Sequence, residues 1–368
     1  MTKQLTVGIA GYGVVGPRRR HYIDQHPAFK TVAVCDRSFA SDGTFPDGVR
    51  YYSNYNALLE ENIDVLFVCL THDVAPEVTI AGLKKGFHVF CEKPPGRDIS
   101  DIQRVIAMER ECPKLKLKYG FNHRYHDSVR DALKFIESGN LGKIINMRGV
   151  YGKSYIAGRD NSWRSQRALA GGGILLDQGI HMLDLMLLFA GESFSEVKSF
   201  VSNSFWKHDV EDNAYALMRT QSGIIGMLHS TATQWRHRFS LEIAMTEGSI
   251  TLAGILSGTK SYGQETLNIA YRKDFEEQGN PREQITSYVR DSSWKLEVDE
   301  FAECILKDQA IRIGTSQHAL EAMRTVYRVY CGDEAWSDTY NLKSENANPV
   351  IPRETESRAP GDLRGTYE

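Results

Sequence analysis

The sequence has no large excess of either charge and no long apolar run. Its 44 lysines and arginines nearly balance 47 aspartates and glutamates, which gives a net charge of −3. No overall positive field therefore favours nucleic acid or an anionic membrane, and we expect neither partner. The triplet Arg18-Arg19-Arg20 is local and is expected to form a solvated or phosphate-side face of a helix. Apolar runs such as 65–70 are far shorter than the roughly 18 residues that span a membrane.

Cysteines are few and none forms a Cys-x-x-Cys pair. Three of the six lie in or at the ends of predicted buried strands, where a free thiol behaves as a small hydrophobic group. The first residues run into a strand pattern without the organisation of a signal peptide. Unpaired cysteines in buried strands are typical of a reducing compartment and predict a cytoplasmic protein. The six are Cys35, Cys69, Cys91, Cys112, Cys304 and Cys331.

The first 120 residues alternate short apolar runs with helical stretches. This alternation predicts βαβ units and a parallel sheet, and the continuously apolar strands indicate that helices cover both faces. The predicted helices follow residue 16 and span Tyr55–Glu60, Pro76–Lys85 and Ile99–Arg110. The predicted strands are Leu5–Ala10, Thr31–Cys35, Val65–Leu70, His88–Cys91 and Lys116–Phe121.

After Phe121 the pattern changes to one helix, at 127–138, followed by a strand-rich region. Alternating runs separated by tight turns predict an antiparallel sheet in an α+β domain, closed by helices near 294–307 and 316–329. The polar end of the chain predicts an extended tail. We therefore predict three regions: a dinucleotide-binding domain at 1–121, a substrate and oligomerisation domain at 122–340, and a tail at 341–368. The predicted strands are Ala214–Thr220, Gly226–Ala232, Phe239–Met245 and Ser249–Ala253.

Gly11-x-Gly13-x-x-Gly16 lies between the first predicted strand and a helix. Glycines in this context permit a tight turn and let a pyrophosphate approach the helix N-terminus, which is typical of a Rossmann dinucleotide-binding unit. An unrelated glycine turn is the alternative. Asp36 follows the second strand, twenty residues after Gly16. An acid there binds the ribose hydroxyl and repels a 2′-phosphate, which favours NAD, whereas Arg37 leaves NADP as a second choice.

Glu92-Lys93-Pro94-Pro95 ends a predicted buried strand. Open α/β sheets bind ligands beyond the carboxyl ends of their strands, and the prolines stop the strand there. Together with the glycine loop, this position predicts that Lys93 holds its ammonium beside a bound dinucleotide. A charged strand end without function is the alternative.

The segment 171–184 places Asp177 and His181 four residues apart, with Asp184 one turn further. If a helix begins near Leu176, a carboxylate lies beside an imidazole on one face, where it can raise the basicity of the imidazole. Histidine titrates in the range that a general base needs. The alternatives are Asp177 as a helix cap and His181 as a core histidine.

Several other polar residues are candidates for the same cleft. Asn122 to Tyr125 directly follow the last parallel strand, and Trp163-Arg164 and Trp235-Arg236-His237 are candidates for contact with a polar substrate. His123 and His126 have the spacing of metal ligands, but no acid or cysteine is arranged to complete such a site, and no metal is expected.

These motifs resemble the Gfo/Idh/MocA (glucose–fructose oxidoreductase, inositol dehydrogenase and rhizopine catabolism) family over roughly residues 4 to 335. The resemblance rests on the glycine loop, on 81–94, on 120–125 and on 171–184. It implies a Rossmann domain, a C-terminal α+β domain with an open, mostly antiparallel sheet, and a catalytic set of Lys93, Asp177 and His181. One departure is Thr71-His72-Asp73-Val74-Ala75-Pro76, where the family often has Thr-Pro-Asn-x-x-His.

The sequence therefore predicts an NAD-dependent oxidoreductase that oxidises a secondary hydroxyl of a sugar or nucleotide-linked sugar, as a homodimer or homotetramer. An NADP-dependent keto-sugar reductase and a non-catalytic dinucleotide-binding regulator are the alternatives. The predicted substrate-binding residues are Lys93, Arg124, Tyr125, Trp163, Arg164, Asp177 and His181. The predicted cofactor-binding residues are Gly11, Gly13, Val14, Val15, Gly16, Asp36, Arg37, Leu70, Thr71, Glu92, Lys93 and Asn122.

Overall fold

The computed structural model describes residues 4–155, 162–273 and 279–342, which form two compact units. The first contains the described residues up to Asn122, together with 168–170 and 294–320. The second contains the described residues of 123–167, 171–293 and 321–342. The division at 122/123 lies one residue from the predicted domain boundary. The predicted tail, 341–368, falls outside the described residues except for Asn341 and Leu342.

Seven strands form the sheet of the first unit, in the order β3-β4-β2-β1-β5-β6-β7. All neighbouring pairs are parallel except β3 and β4. The central strand β5 is wholly buried, as its continuously apolar sequence predicts. The strands are β1 (Leu5–Ala10), β2 (Phe29–Cys35), β3 (Gly43–Thr44), β4 (Arg50–Tyr52), β5 (Val65–Val68), β6 (His88–Glu92) and β7 (Leu117–Gly120).

Eight strands form the sheet of the second unit, in the order β15-β14-β13-β12-β8-β11-β10-β9. Neighbours are antiparallel except for β8 and β11. The predicted fold class, a Rossmann domain followed by an α+β domain with a mostly antiparallel sheet, is confirmed. The strands are β8 (Ile144–Gly152), β9 (Phe194–Ser202), β10 (Asn213–Thr220), β11 (Ile225–Thr231), β12 (Arg238–Met245), β13 (Gly248–Ala253), β14 (Glu265–Tyr271) and β15 (Arg282–Tyr288).

The helices are α1 (Val15–Gln25), α2 (Tyr55–Leu59), α3 (Ala75–Lys84), α4 (Ile99–Glu111), α5 (Asp127–Glu137), α6 (Arg167–Ala170), α7 (Ile180–Ala190), α8 (Ser293–Leu306), α9 (Ser316–Cys331) and α10 (Glu334–Thr339). Those that the sequence predicted begin and end close to the predicted positions, whereas α6 and α10 were not predicted. Short 3₁₀ turns occupy Asn122–Tyr125 and Trp163–Ser165, and a π turn occupies Leu175–Gly179.

Helix α7 packs on one face of the second sheet, which we call the inner face. A Cβ atom at Gly149 of β8 would lie 2.7 Å from Met182 Cγ, so only glycine admits the helix at this distance. The stretch Arg167–Ala190 is long and apolar enough to cross a membrane by length and composition, but 89% of its apolar window is buried in the protein. Such burial is typical of a core helix.

Segment 294–320 belongs to the first unit, although the sequence prediction placed it in the second domain. The physical reason is that α8 contributes Val298, Phe301 and Ala302 to the same hydrophobic core as β1, β5 and β6. The Phe301 ring makes edge contacts with the rings of Phe67 and Phe90.

The prediction of a solvated arginine face is wrong for Arg19, which is 0% exposed. Its guanidinium lies 2.5 Å from the Glu92 carboxylate and 2.7 Å from that of Glu297 in α8. It also lies over the rings of Phe90 and Trp294. Because α8 covers this side of α1, Arg19 forms a buried ion cluster with Glu92 and Glu297, called the Arg19 cluster below.

Candidate functional site

The carboxyl ends of the parallel strands in the first sheet carry most of the predicted cofactor residues. The glycine loop follows β1, Asp36 follows β2, and Leu70-Thr71 follow β5 by one residue. Lys93 follows β6, and Asn122 follows β7. Neighbouring parallel strands present these ends at one edge of the sheet, which is where open α/β sheets bind dinucleotides.

The three glycines of the loop have separate roles. Gly11 has a φ of 93°, and a Cβ atom there would lie 2.2 Å from the Cys69 carbonyl oxygen. At Gly16 a Cβ atom would lie 2.1 Å from the Gly11 carbonyl oxygen, so the first turn of α1 needs glycine. At Gly13, by contrast, a Cβ atom would meet nothing within 4 Å. Gly13 therefore leaves room for a ligand to approach the backbone, as a pyrophosphate does in this fold.

The N-terminus of α1 suits an anionic ligand. Its N-cap, Val14, makes no side-chain hydrogen bond to the helix, and the first turn contains no acidic residue. The amide groups and the positive end of the helix dipole are thus left for a phosphate. The side chain of Val14 is 84% exposed beside this turn. The residues present fit the dinucleotide that the motif predicts.

Asp36 connects the glycine loop to the end of β2. Its carboxylate accepts hydrogen bonds from the backbone amides of Tyr12, at 2.7 Å, and Ser38, at 2.9 Å. Partial burial raises the pKa of Asp36, but the hydrogen bonds from Ser38 and Tyr12 and the charge of Arg37 outweigh it, so the net pKa is lowered. Asp36 is therefore ionised at neutral pH and disfavours a 2′-phosphate. Arg37 is exposed.

Lys93 lies directly beyond β6 and is half-buried. The preceding residue, Glu92, directs its carboxylate to Arg19 within the Arg19 cluster, which anchors the end of the strand. Direct contact between Glu92 and a cofactor stays a prediction. In the segment that departs from the family pattern, His72 is buried and its Nδ1 lies 2.8 Å from the Ala170 carbonyl oxygen.

Asp177 and His181 lie at the junction between the π turn and α7 in the second unit. The helical segment starts close to the predicted position, but its first turn is a π turn. Such turns are rare in proteins as a whole, and many of those that occur lie at functional sites. Asp177 is 7% exposed and His181 is 3% exposed. The Asp177 carboxylate accepts a hydrogen bond from Gln178 Nε2 at 2.9 Å.

The His181 imidazole stacks on that of His123, with ring centroids 3.8 Å apart and planes inclined by 13°. His123 Nε2 lies 3.2 Å from the hydroxyl oxygen of Tyr151 on the inner face of β8. Tyr151 in turn makes an edge contact with Tyr262. These five side chains, Asp177, His181, His123, Tyr151 and Tyr262, are called the histidine cluster below.

Asp184 is not part of the histidine cluster, because it forms a buried ion pair with Arg124. Arg124 donates from Nε and a terminal nitrogen to the two carboxylate oxygens, at 2.8 and 2.6 Å. Burial raises the pKa of Asp184 despite the opposing charge of Arg124. This geometry favours a structural role for Arg124 over the predicted substrate contact. Tyr125 is also buried.

His126, which has metal-ligand spacing to His123, is engaged elsewhere. Its Nδ1 lies 2.8 Å from Glu265, and Ser128 donates to the same carboxylate. Burial raises the pKa of Glu265, but these contacts outweigh it and lower the pKa overall. Among residues 4–155, 162–273 and 279–342, no group of three His, Cys, Asp or Glu side chains is arranged to hold a metal ion.

Trp163 and Arg164 form a local pair in a 3₁₀ turn, with the guanidinium 4.3 Å from the centre of the indole ring. Both side chains are half-buried, and their predicted contact with substrate stays a prediction. Sequence reasoning missed Tyr151 and Tyr262. The alternation in β8 could have assigned Tyr151 to the inner face, but no local signal connects Tyr262 to it.

Comparisons with known proteins agree with both domains. The oxidoreductase family with an NAD-binding Rossmann fold matches residues 5–121, and the GFO/IDH/MocA C-terminal domain matches residues 129–251. A 1,5-anhydro-D-fructose reductase of Ensifer adhaerens is 30% identical over 57% of this chain and 63% of its own. An inositol 2-dehydrogenase of Salmonella typhimurium is 27% identical over 60% of this chain and 65% of its own. The aligned region thus spans less than two thirds of each relative.

Solved structures match nearly the whole fold. A levoglucosan dehydrogenase in complex with NADH has a TM-score of 0.77 at 19% identity, covering 91% of this chain and 98% of its own. A 3-ketoreductase from Actinomadura kijaniata in complex with NADP and TDP-benzene has a TM-score of 0.75 at 22% identity, covering 90% and 98%. Since the family matches cover both domains, and the glycine loop, Lys93 and the segment 171–184 lie within them, this chain belongs to the Gfo/Idh/MocA family of NAD-binding oxidoreductases.

Proposed function

We propose that this protein is a cytoplasmic NAD-dependent dehydrogenase that oxidises a secondary hydroxyl of a sugar or nucleotide-linked sugar. The observation that carries the proposal is the histidine cluster, which contains a buried imidazole and a buried carboxylate. The other unit of the same chain contains the glycine loop of a dinucleotide-binding domain. Relatives named as sugar dehydrogenases and reductases support the substrate class.

The roles of the residues follow from their chemistry. When bound, the cofactor supplies a hydride acceptor. His181 removes the proton from the substrate hydroxyl, as a general base. Asp177 orients the hydroxyl and maintains the basicity of His181. Lys93 donates a hydrogen bond to the same oxygen and stabilises the negative charge that develops on it.

The proposal is tested by turnover of a sugar panel. Purified protein is incubated with NAD and, separately, with cyclitols, aldoses, anhydrosugars and nucleotide-linked sugars, and NADH formation is followed by absorbance. We expect turnover with at least one member. Absence of turnover with NAD or NADP, in either direction, would favour the regulator. A regulator needs the glycine loop but neither Lys93 nor His181.

The cofactor preference depends on the charge of Asp36. Asp36→Asn removes the negative charge and keeps one side-chain oxygen, which can accept a hydrogen bond from only one of the two amides, that of Tyr12 or that of Ser38. We expect wild type to bind NAD more tightly than NADP, and the variant to reduce that difference about tenfold or more, because the repulsion of the 2′-phosphate is lost. Calorimetric titration with both cofactors checks this. Tighter binding of NADP by wild type would mean that Arg37 outweighs Asp36, and would support the reductase.

We also propose that the protein is a homodimer or homotetramer. The face of the second sheet opposite α7, the outer face, carries exposed apolar side chains on three adjacent strands, β9 to β11. Tyr215 is paired in register with Phe200 on one side and His229 on the other. Exposed apolar patches of this kind usually mark interfaces. The patch lies within 200–227, so it overlaps the predicted interface region, 210–255, only in part. Its members are Phe200, Tyr215, Leu217, Ile225 and Met227.

Leu217→Asp tests this interface, because Leu217 is 57% exposed near the centre of the patch. We expect light scattering of wild type at micromolar concentration to give at least twice the chain mass of 41.5 kDa, and the variant to dissociate. Ile285→Asp is the matched control, since Ile285 is 63% exposed on β15 at the opposite edge of the same sheet. A monomeric wild type would refute the proposal. Equal dissociation of both variants would mean that the interface lies elsewhere on the sheet.

A further inference from the structure

The Arg19 cluster holds the residue that directly precedes Lys93. Glu92 is the last residue of β6, and its carboxylate accepts a hydrogen bond from Arg19 Nε at 2.5 Å. Only 14% of the Glu92 side chain is exposed. Because consecutive Cα atoms lie about 3.8 Å apart, a contact that fixes the backbone of Glu92 also restricts the position of Lys93.

The guanidinium of Arg19 is itself held from several sides. It lies 4.4 Å from the centre of the Phe90 ring and 4.2 Å from that of the Trp294 ring. A terminal nitrogen lies 2.7 Å from the carboxylate of Glu297 in α8. Since packing and charge leave the guanidinium one position, its charge-assisted hydrogen bond fixes the Glu92 carboxylate in one geometry.

The neighbouring strand β7 leaves room for this ion pair. Gly120 is paired in register with Glu92. A Cβ atom at Gly120 would lie 2.9 Å from Glu92 Oε2 and 3.1 Å from Arg19 Nη2, which is too close for the carboxylate to stay where it is. The end of β6 is therefore bound to α1 on one side and packed closely against β7 on the other.

Arg19 connects two parts of the candidate cofactor site within the first unit. It lies near the start of α1, the helix whose N-terminus suits a phosphate, and its partner Glu92 lies at the end of the strand that precedes Lys93. Stability alone is a weak explanation for the ion cluster, because apolar residues of similar size often replace buried ion pairs without loss. Directed bonds, by contrast, hold a functional group in a fixed place.

We propose that Glu92 is a positioning residue, which fixes the end of β6 through its bond to Arg19 and so places the ammonium of Lys93 at the substrate oxygen. The inference rests on the proposed function, in which Lys93 donates to that oxygen. It assigns Glu92 to the placement of Lys93 instead of to contact with the cofactor. Arg19 acts on the same group through Glu92.

The kinetic test uses Glu92→Ala and Glu92→Gln, each in protein with Lys93 and in Lys93→Ala protein. With the best sugar of the panel and saturating NAD, we expect Glu92→Ala to lower kcat about ten- to a hundredfold, since misplacing a reacting group by about 1 Å has effects of this size. Glu92→Gln keeps an oxygen that accepts from Arg19 and should lose less. In the Lys93→Ala protein neither change should lower kcat further, because the group through which Glu92 acts is absent.

A second measurement follows Lys93 without turnover. The protein, with neither cofactor nor sugar, is briefly acetylated with acetic anhydride, and mass spectrometry compares modification of Lys93 with that of Lys84, which is exposed on α3. We expect Glu92→Ala to raise the ratio severalfold, since the half-buried amine is no longer held, and Glu92→Gln to raise it less. Calorimetric titration should give the same affinity for NAD in wild type and both variants.

Glu109→Ala is the matched control. Glu109 is half-buried on α4 in the same unit, and its carboxylate accepts a hydrogen bond from Ser316 Oγ at 2.5 Å. Both alanine variants remove a hydrogen-bonded carboxylate, so both should melt at a lower temperature than wild type. Only Glu92→Ala should change kcat and the acetylation of Lys93.

Three results would overturn the inference. An equal loss of kcat from Glu92→Ala with and without Lys93 would mean that Glu92 acts independently of Lys93. Weaker binding of NAD by the Glu92 variants would mean that Glu92 contacts the cofactor. Unchanged kcat and acetylation in folded Glu92→Ala protein would leave the ion pair a purely structural role. Failure of the proposed function appears separately, as full turnover by Lys93→Ala protein or none by wild type, and acetylation still tests the placement of Lys93.

Discussion

Replacing either His181 or Lys93 by alanine is expected to lower turnover of the sugar about 10²–10⁴-fold while NAD still binds. His181 is buried against the His123 ring, which fixes the plane of its imidazole. Lys93 follows β6 directly, at the edge of the sheet where the dinucleotide binds. If both act on one substrate oxygen, the double variant should lose far less than the product of the single losses, since residues that act as a unit are not additive. Steady-state kinetics on the four proteins measure this.

A structural role predicts a different pattern for the same variants. It would lower the melting temperature or the yield of folded protein, while the folded fraction kept its turnover. Thermal melting with and without NAD therefore accompanies the kinetics. His21→Ala and Lys84→Ala are suitable controls, because both residues are exposed on helices of the first unit. Unchanged turnover of well-folded His181→Ala protein would exclude His181 from the mechanism and leave it as a packing residue of α7.

Replacing Arg19 by methionine is expected to destabilise the first unit by about 3–5 kcal/mol, because two largely buried carboxylates would lose their shared cation. Glu297 is 0% exposed, and Glu92 has only 14% of its side chain exposed. Urea unfolding measures the loss. At pH 8, above the raised pKa of Glu297, adding Glu297→Gln to Arg19→Met should restore part of the loss, since one buried charge is removed. No difference between the single and double variants would mean that the charges of the cluster do not determine its stability.

The Arg19 cluster also predicts a pH dependence. Burial, opposed by Arg19 and reinforced by Glu92, raises the pKa of Glu297 from 4.5 to about 7. The folded state therefore retains a proton that the unfolded state releases as pH rises through 4.5. The contribution of Glu297 to stability is complete below that pH and falls as pH rises towards about 7, by up to roughly 3 kcal/mol. Glu297→Gln should abolish this fall, and an unchanged fall in the variant would assign it to other groups.

Local sequence patterns predicted most of the elements, because they depend on nearby residues. Continuous apolar runs identified the five main parallel strands, and the glycine spacing identified the cofactor edge. The strands that were not predicted individually are β3, β4, β8, β9, β14 and β15. Ile285 is the one strongly apolar residue of β15, and β3 is only two residues long. Neither strand therefore shows an alternation of apolar and polar residues in the sequence.

The misses at the site come from contacts between residues far apart in the chain. Arg19 was assigned to a solvated face as part of the triplet Arg18-Arg19-Arg20, whereas its partner Glu297 lies far along the chain. Asp184 was assigned to the face of His181 by helical spacing, but the pairing with Arg124 depends on how a 3₁₀ turn meets α7. Tyr262 was missed because the cluster is assembled from a π turn, a helix, a 3₁₀ turn, one strand and a loop.

The contribution of α8 to the first core bears on how the chain folds during synthesis. N-terminal domains generally fold first as they leave the ribosome. Here Val298, Phe301 and Ala302, which complete that core, are translated only after all eight strands of the second sheet. At about 5–20 residues per second, they follow β7 by roughly ten to forty seconds. During this interval the nascent Rossmann sheet has an uncovered apolar surface, at Phe67 and Phe90, where a chaperone can bind before α8 replaces it.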